Sequence, residues 1–198
     1  MSQRFSDYTR RERDDYPTPD WVTGLVIPHL QIMGANTIWE PAAGAGGMAD
    51  PLAEAGFRVV STDLRNGIDF LDERTWPPDV AQRADAVVTN PPYGIQGKTA
   101  EKFIEQVLEL TRPRNGLVAM LLKVDFDSGA TRRRFFADCP AWACKLVLLK
   151  RILWFESQTG MGPSENHAWF LWSWRHTGSP IIAYSDDKPR RCTTSDPV

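Results

Sequence analysis

Through the first two thirds of the chain, short apolar runs alternate with stretches of helical periodicity, and this alternation restricts the fold more than any other feature. Residues 37–39, 58–62, 86–89 and 117–123 have the length and composition of strands, while 48–55 and 100–110 carry the spacing of helices, with glycines at the joins. Ahead of the first strand, Thr18-Pro19-Asp20 followed by Trp21, Val22, Leu25, Val26 and Leu30 predicts an N-capped helix over 18–30, with Pro19 at its first position. Strands separated by helices imply an α/β fold, a mostly parallel sheet with helices on both faces. The last third differs: 145–155 and 168–174 are two long strand candidates joined by a loop at 156–167, a spacing that suits an antiparallel hairpin at the end of the sheet.

At 198 residues the chain suits one domain, expected over 16–184, between a polar arm at 1–15 and a polar tail at 185–198. Its net charge of −2 provides no global attraction to a polyanion, so any nucleic-acid partner must be held by local basic patches. Cys139, Cys144 and Cys192 form no metal-ligand spacing with one another or with the three histidines, so no metal is expected and the thiols are read as reduced. The polar N-terminus and the absence of a long apolar run predict a cytoplasmic protein with no membrane partner. Eight tryptophans exceed ordinary usage; they supply either core or flat surfaces for stacking on bases or peptides.

Between the first strand and the following helix, the segment Ile38-Trp39-Glu40-Pro41-Ala42-Ala43-Gly44-Ala45-Gly46-Gly47 clears side chains from a turn, so that backbone can approach a ligand. Glycine turns also form for backbone reasons alone, and the downstream pattern adds weight: residues 59–62 are a strand ending in Asp63, placed to accept from both hydroxyls of a ribose. Asp69, with Phe70 beside it, falls in the next link and is either an acceptor for an adenine amino group or a plain turn aspartate. No Lys-Ser/Thr follows the glycines, and Glu40 would repel a pyrophosphate, so a nucleotide-phosphate loop is excluded. An acid there instead suits a positively charged ligand, such as the sulfonium and amino groups of S-adenosylmethionine.

The strand at 86–89 ends in Asn90-Pro91-Pro92-Tyr93-Gly94. Here the sequence resembles the amino-methyltransferases, especially the N6-adenine DNA methyltransferases, whose fourth motif is [DNS]-P-P-[YFW]. The resemblance covers roughly 16–125 in the motif order of the gamma class: Tyr16-Pro17-Thr18-Pro19-Asp20 is similar to the tenth motif, over the methionine carboxylate, and the Glu40 segment to the first. It implies a Rossmann-like methyltransferase sheet and S-adenosylmethionine held by Thr18, Glu40, Pro41, Ala42, Gly44, Gly46, Asp63, Asp69 and Phe70. It also implies a catalytic loop formed by Asn90, Pro91, Pro92 and Tyr93. An amine conjugated to a purine is a poor nucleophile, because its lone pair is delocalised. By the resemblance, the Asn90 side-chain oxygen and the Pro91 carbonyl draw its hydrogens aside, the two prolines stiffen the loop, and Tyr93 stacks on the flipped base.

For the substrate, Arg132 and Arg133 in the Thr131-to-Phe136 segment either grip phosphates or belong to a solvated turn, with Phe135 and Phe136 in the core. Trp154 and Phe155 stand near where the family offers a second aromatic wall, although core alternation produces the same pattern. Arg65 is read as solvating its loop, and 160–163 as either a lid or a hairpin connection. No target-recognition domain is visible, so specificity is expected to be low or supplied by a partner. DNA is the expected nucleic-acid partner; RNA adenine methylation, protein-glutamine methylation and a cofactor-binding subunit that needs a partner for catalysis are the alternatives.

Overall fold

Four parallel strands are laid down by the alternation of short apolar runs and helices. The computed structural model describes residues 16–154 and 165–186. The strands are β1 (Thr37–Glu40), β2 (Arg58–Ser61), β3 (Ala86–Thr89), β4 (Leu117–Lys123), β5 (Trp142–Val147), β6 (His167–Ser173) and β7 (Ile181–Tyr184), in the spatial order β2-β1-β3-β4-β6-β5-β7. The helices are α1 (Asp20–Met33), α2 (Ala49–Glu54), α3 (Pro78–Arg83) and α4 (Lys98–Thr111). β2, β1, β3 and β4 pair in parallel, while β6 runs antiparallel to both β4 and β5.

The expected antiparallel pair is present as β5 and β6, but it does not end the sheet. β7, absent from the sequence reading, pairs in parallel with β5 and forms the edge. Its four residues lie in a polar stretch where only Ala183 is buried, too weak a pattern to stand out. Residues 148–154, expected to extend β5, instead leave the sheet after Val147.

Side chains alternate across the sheet with a period of two, and each set finds its own helices. Leu117, Ala119 and Leu121 of β4 join Val22, Val26 and Leu30 of α1 and Leu52 of α2 in one core. Val118, Met120 and Leu122 join Val80 of α3 and Ala100, Phe103, Ile104 and Val107 of α4 in the other. The sheet is therefore covered on both faces. Most of the tryptophan excess serves this packing: Trp39, Trp169 and Trp172 are fully buried. Their indole N–H groups donate to Thr62 Oγ1 (2.8 Å), the Val22 carbonyl (2.9 Å) and the Phe135 carbonyl (2.7 Å) respectively.

Chain order reverses between β1 and β3: from β1 the sheet grows outward to β2 on one side, and from β3 to β4 on the other. The loops leaving the carboxyl ends of these two strands diverge, and a crevice opens between them. Those loops are the glycine turn after Glu40 and the segment beginning at Asn90.

Candidate functional site

A cavity of about 440 Å³ occupies this crevice, within the roughly 300–1,000 Å³ usual for small-molecule sites. Its wall includes Thr18, Glu40, Pro41, Ala42, Gly44, Asp63, Asp69, Phe70, Asn90 and Pro92. Residues as far apart in sequence as 18 and 90 are thus brought onto one surface.

Glu40, the last residue of β1, is buried beneath the cavity, where its Oε2 accepts from Ser61 Oγ at 3.0 Å. Burial pushes its carboxyl up to about 7, against the Ser61 bond and with a further upward push from Asp63. The glycine turn above it is tied to the β2 end, since the Ala43 N–H donates to the Thr62 carbonyl (3.0 Å) and the Gly44 N–H to Asp63 Oδ2 (2.9 Å). Asp63 Oδ1 accepts from both the N–H and Nε of Arg65, each at 2.9 Å. Burial alone would raise the Asp63 carboxyl, but the bonds from Arg65 and Gly44 outweigh it and hold the group below its usual range. Asp63 therefore braces the turn as well as facing the cavity.

Asp69 Oδ1 accepts from the Leu71 N–H at 2.9 Å, as a turn aspartate does, and its other oxygen has no protein donor among the described residues. Phe70 is buried and stacks on Trp76 at 5.4 Å between centroids, with Trp39 and Phe103 also against it, giving this end of the cavity a rigid aromatic base.

Asn90 stands directly after β3. Its Nδ2 donates to the Tyr16 carbonyl (3.2 Å) and to Thr18 Oγ1 (3.3 Å). A carbonyl can only accept, so the amide orientation is fixed, and Oδ1 is left with no protein donor among the described residues. The segment before α1 reaches this position by crossing the glycine turn so closely that a Cβ on Gly47 would lie 2.8 Å from the Thr18 carbonyl oxygen. Pro91 is buried and off the cavity wall, and Pro92 lies on it.

Tyr93 also lies off that wall. Its hydroxyl accepts the Lys123 N–H at 2.6 Å, its ring meets Phe126 edge-on at 6.3 Å, and the Lys123 ammonium lies 5.8 Å from its centroid. Burial pushes its phenol well above the ordinary range, so the hydroxyl stays protonated.

Several sequence assignments need correction. Gly46 does not line the cavity; its N–H closes a turn onto the Ala43 carbonyl at 2.8 Å, and Gly47, the last residue of the glycine segment but not among the expected ligands, takes its place. Arg132 is not available for a phosphate, because its guanidinium donates to Glu101 Oε1, the Phe126 carbonyl and the Gln96 carbonyl (each 3.1 Å) and lies 3.8 Å from the Phe126 ring centroid. Arg133 is exposed but paired with Asp138 at 2.9 Å, away from the cavity. Trp154 stands behind Tyr16 (5.6 Å, edge-on) and against buried His167 (5.3 Å), one layer back from the cavity. Phe155, residues 160–163, the 1–15 arm and most of the tail lie outside the described residues. Leu64, Ile68, Thr99 and Phe103, missed in the sequence, also line the cavity. The first two had one available signal: each is an apolar residue beside an acid, Leu64 after Asp63 and Ile68 before Asp69, where a polar turn would be expected.

No protein-family model matches the sequence, and no curated protein matches it. Among solved structures, a Pyrococcus horikoshii protein described as a candidate RNA methyltransferase superposes with a TM-score of 0.59 at 14% identity, over 86% of this chain and 92% of that one. The fold is methyltransferase-like. A modification subunit of a type I restriction system from Vibrio vulnificus has a TM-score of 0.49 at 15% identity, over 89% of this chain and 50% of that chain. A release-factor glutamine-N5 methyltransferase from Alicyclobacillus acidocaldarius has 0.44 at 21% identity, over 79% and 94%. Among the described residues, no group of three or more His, Cys, Asp or Glu is placed to hold a metal, and no helix is long and apolar enough to cross a membrane.

Proposed function

We propose that the chain is an S-adenosylmethionine-dependent N-methyltransferase whose acceptor is the N6 amine of adenine in DNA. The observation that carries this reading is the shared cavity of Asn90 and Glu40, on adjacent strand ends, with the Asn90 amide held by Tyr16 and Thr18.

The residues present fit the cofactor. Glu40 and Thr18 suit its cationic methionine end, Asp63 its ribose, and Leu64, Ile68 and Phe70 with the open Asp69 oxygen its adenine. When bound, S-adenosylmethionine supplies a methyl on a positively charged sulfur, which retains the bonding pair as the methyl leaves. The chain's own contribution is to prepare the acceptor. With Nδ2 engaged, Asn90 offers its oxygen to one amine hydrogen, and the Pro91 carbonyl offers a second acceptor on the proline-stiffened loop. Together they favour a pyramidal nitrogen, and because they are fixed in advance little reorganisation is needed in the transition state. The product amine sheds its extra proton to solvent. Tyr93, fixed by its hydroxyl to β4, provides a flat partner for the base.

Incubation of the purified full chain with methyl-labelled cofactor and, separately, duplex DNA, RNA and protein tests this. Label is expected in DNA as N6-methyladenine, and Asn90→Ala should lower transfer by about 100-fold or more while retaining cofactor binding. Label entering only RNA or only protein overturns the DNA reading. Tight cofactor binding without transfer to any polymer supports a subunit that needs a partner.

A further inference from the structure

The four residues after the catalytic tetrapeptide, 94–97, have an unusual backbone. Gly94 (φ +63°), Gln96 (φ +53°) and Gly97 (φ +78°) all lie in the left-handed half of conformational space, and Gln96 is one of two described non-glycine residues to do so. Such conformations persist only where the surroundings over-determine them. Here the surroundings are Arg132, whose guanidinium holds the Gln96 carbonyl (3.1 Å), buried Glu101 (3.1 Å) and the Phe126 carbonyl (3.1 Å) at once. Arg132 and Phe126 pack so tightly on Gly97 that a Cβ there would lie 2.8 Å from Arg132 Nη2 and 3.2 Å from the Phe126 ring. At the other end, the Thr99 and Ala100 N–H groups close onto the Tyr93 carbonyl.

What this rigid turn presents is Ile95, 78% exposed and the most exposed large hydrophobic side chain among the described residues. It stands one residue beyond Gly94, which lines the cavity together with Asn90 and Pro92. β-branching adds stiffness to the side chain itself. Lys102 is exposed on the helix α4 that follows, while the Lys98 ammonium is held by Glu101 Oε2 at 3.1 Å.

We propose that Ile95 is a wedge that enters duplex DNA beside the target adenine and occupies the gap left when that base leaves the stack. This deepens the DNA-adenine reading and rests on it. A duplex combines phosphates, which suit the Lys102 ammonium, with apolar base faces that become reachable once a base is extruded, and a preset apolar side chain lowers the cost of holding it out. The turn needs its rigidity for this role, since a yielding loop would bend away from the stack.

The test compares methyl transfer to one DNA as duplex and as separated single strands, by wild type, Ile95→Ala and Ile95→Leu. Ile95→Ala should lower the duplex rate by about tenfold and the single-strand rate by less than about twofold, with cofactor affinity unchanged and Ile95→Leu recovering most of the duplex rate. Equal losses on the two forms, or no loss on duplex, overturn the wedge while leaving the substrate assignment standing. A wild type that labels no DNA in either form overturns the substrate assignment, and the wedge with it.

Discussion

Two carboxyl groups 23 residues apart in sequence, Glu40 and Asp63, face one cavity and are shifted in opposite directions. Asp63 is surrounded by N–H donors and stays ionised; Glu40 has one hydroxyl and is otherwise enclosed, and its carboxyl is raised to about 7. The sign of the linkage follows. A carboxyl that is harder to ionise folded than unfolded favours the folded state at low pH, and that advantage is lost as pH climbs from about 4.5 through about 7. The effect is on the order of 3 kcal/mol. Urea unfolding across this window should therefore show stability falling with pH, and Glu40→Gln should flatten the slope. An unchanged slope in the variant would place its origin elsewhere. If the cavity takes a cationic ligand, as proposed, binding should also tighten as pH rises toward 7 and release a proton below it.

The segment from Tyr16 to α1 is what completes the site at the level of elements. It lies across the glycine turn, gives Asn90 two acceptors for its amide hydrogens, and continues into a helix fixed to the sheet by the Trp169 indole bonded to the Val22 carbonyl. Gly47 permits this crossing not through unusual backbone angles but by lacking a side chain. Gly47→Ala should lift the segment from the turn, lowering stability by about 1–3 kcal/mol and weakening cofactor binding, as read by thermal melting and calorimetric titration. Retention of wild-type values in both would show that the Thr18 carbonyl moves aside without consequence.

Across the whole molecule, one sheet serves two cores, and β4 contributes alternate residues to each. Leu121→Ala opens a void on the α1 side and Leu122→Ala on the α4 side; each should cost about 3 kcal/mol. Both should shift a single unfolding transition followed by circular dichroism and by tryptophan fluorescence, because neither core can lose the sheet alone. Separate transitions would show that the faces unfold independently. Apart from the short helix α3 and the edge strand β7, the elements of this architecture were legible in the sequence because their signals are local: strand and helix periods, the glycine turn, the proline-stiffened loop after β3. So were Glu40, Asp63 and Asn90 as cavity residues, since each sits at a strand end that the periodicity marks. Tertiary structure alone decided the rest. β7 joins β5 through backbone bonds that its weak pattern does not announce. Arg132 is a clamp rather than a phosphate ligand because Glu101 and Gln96, 31 and 36 residues away, converge on it. Gly47 rather than Gly46 faces the cavity because a segment some thirty residues earlier passes over it. Period and turn chemistry act between near neighbours and are written in order along the chain, whereas the partner of an exposed cation or a small residue is whatever the fold brings there.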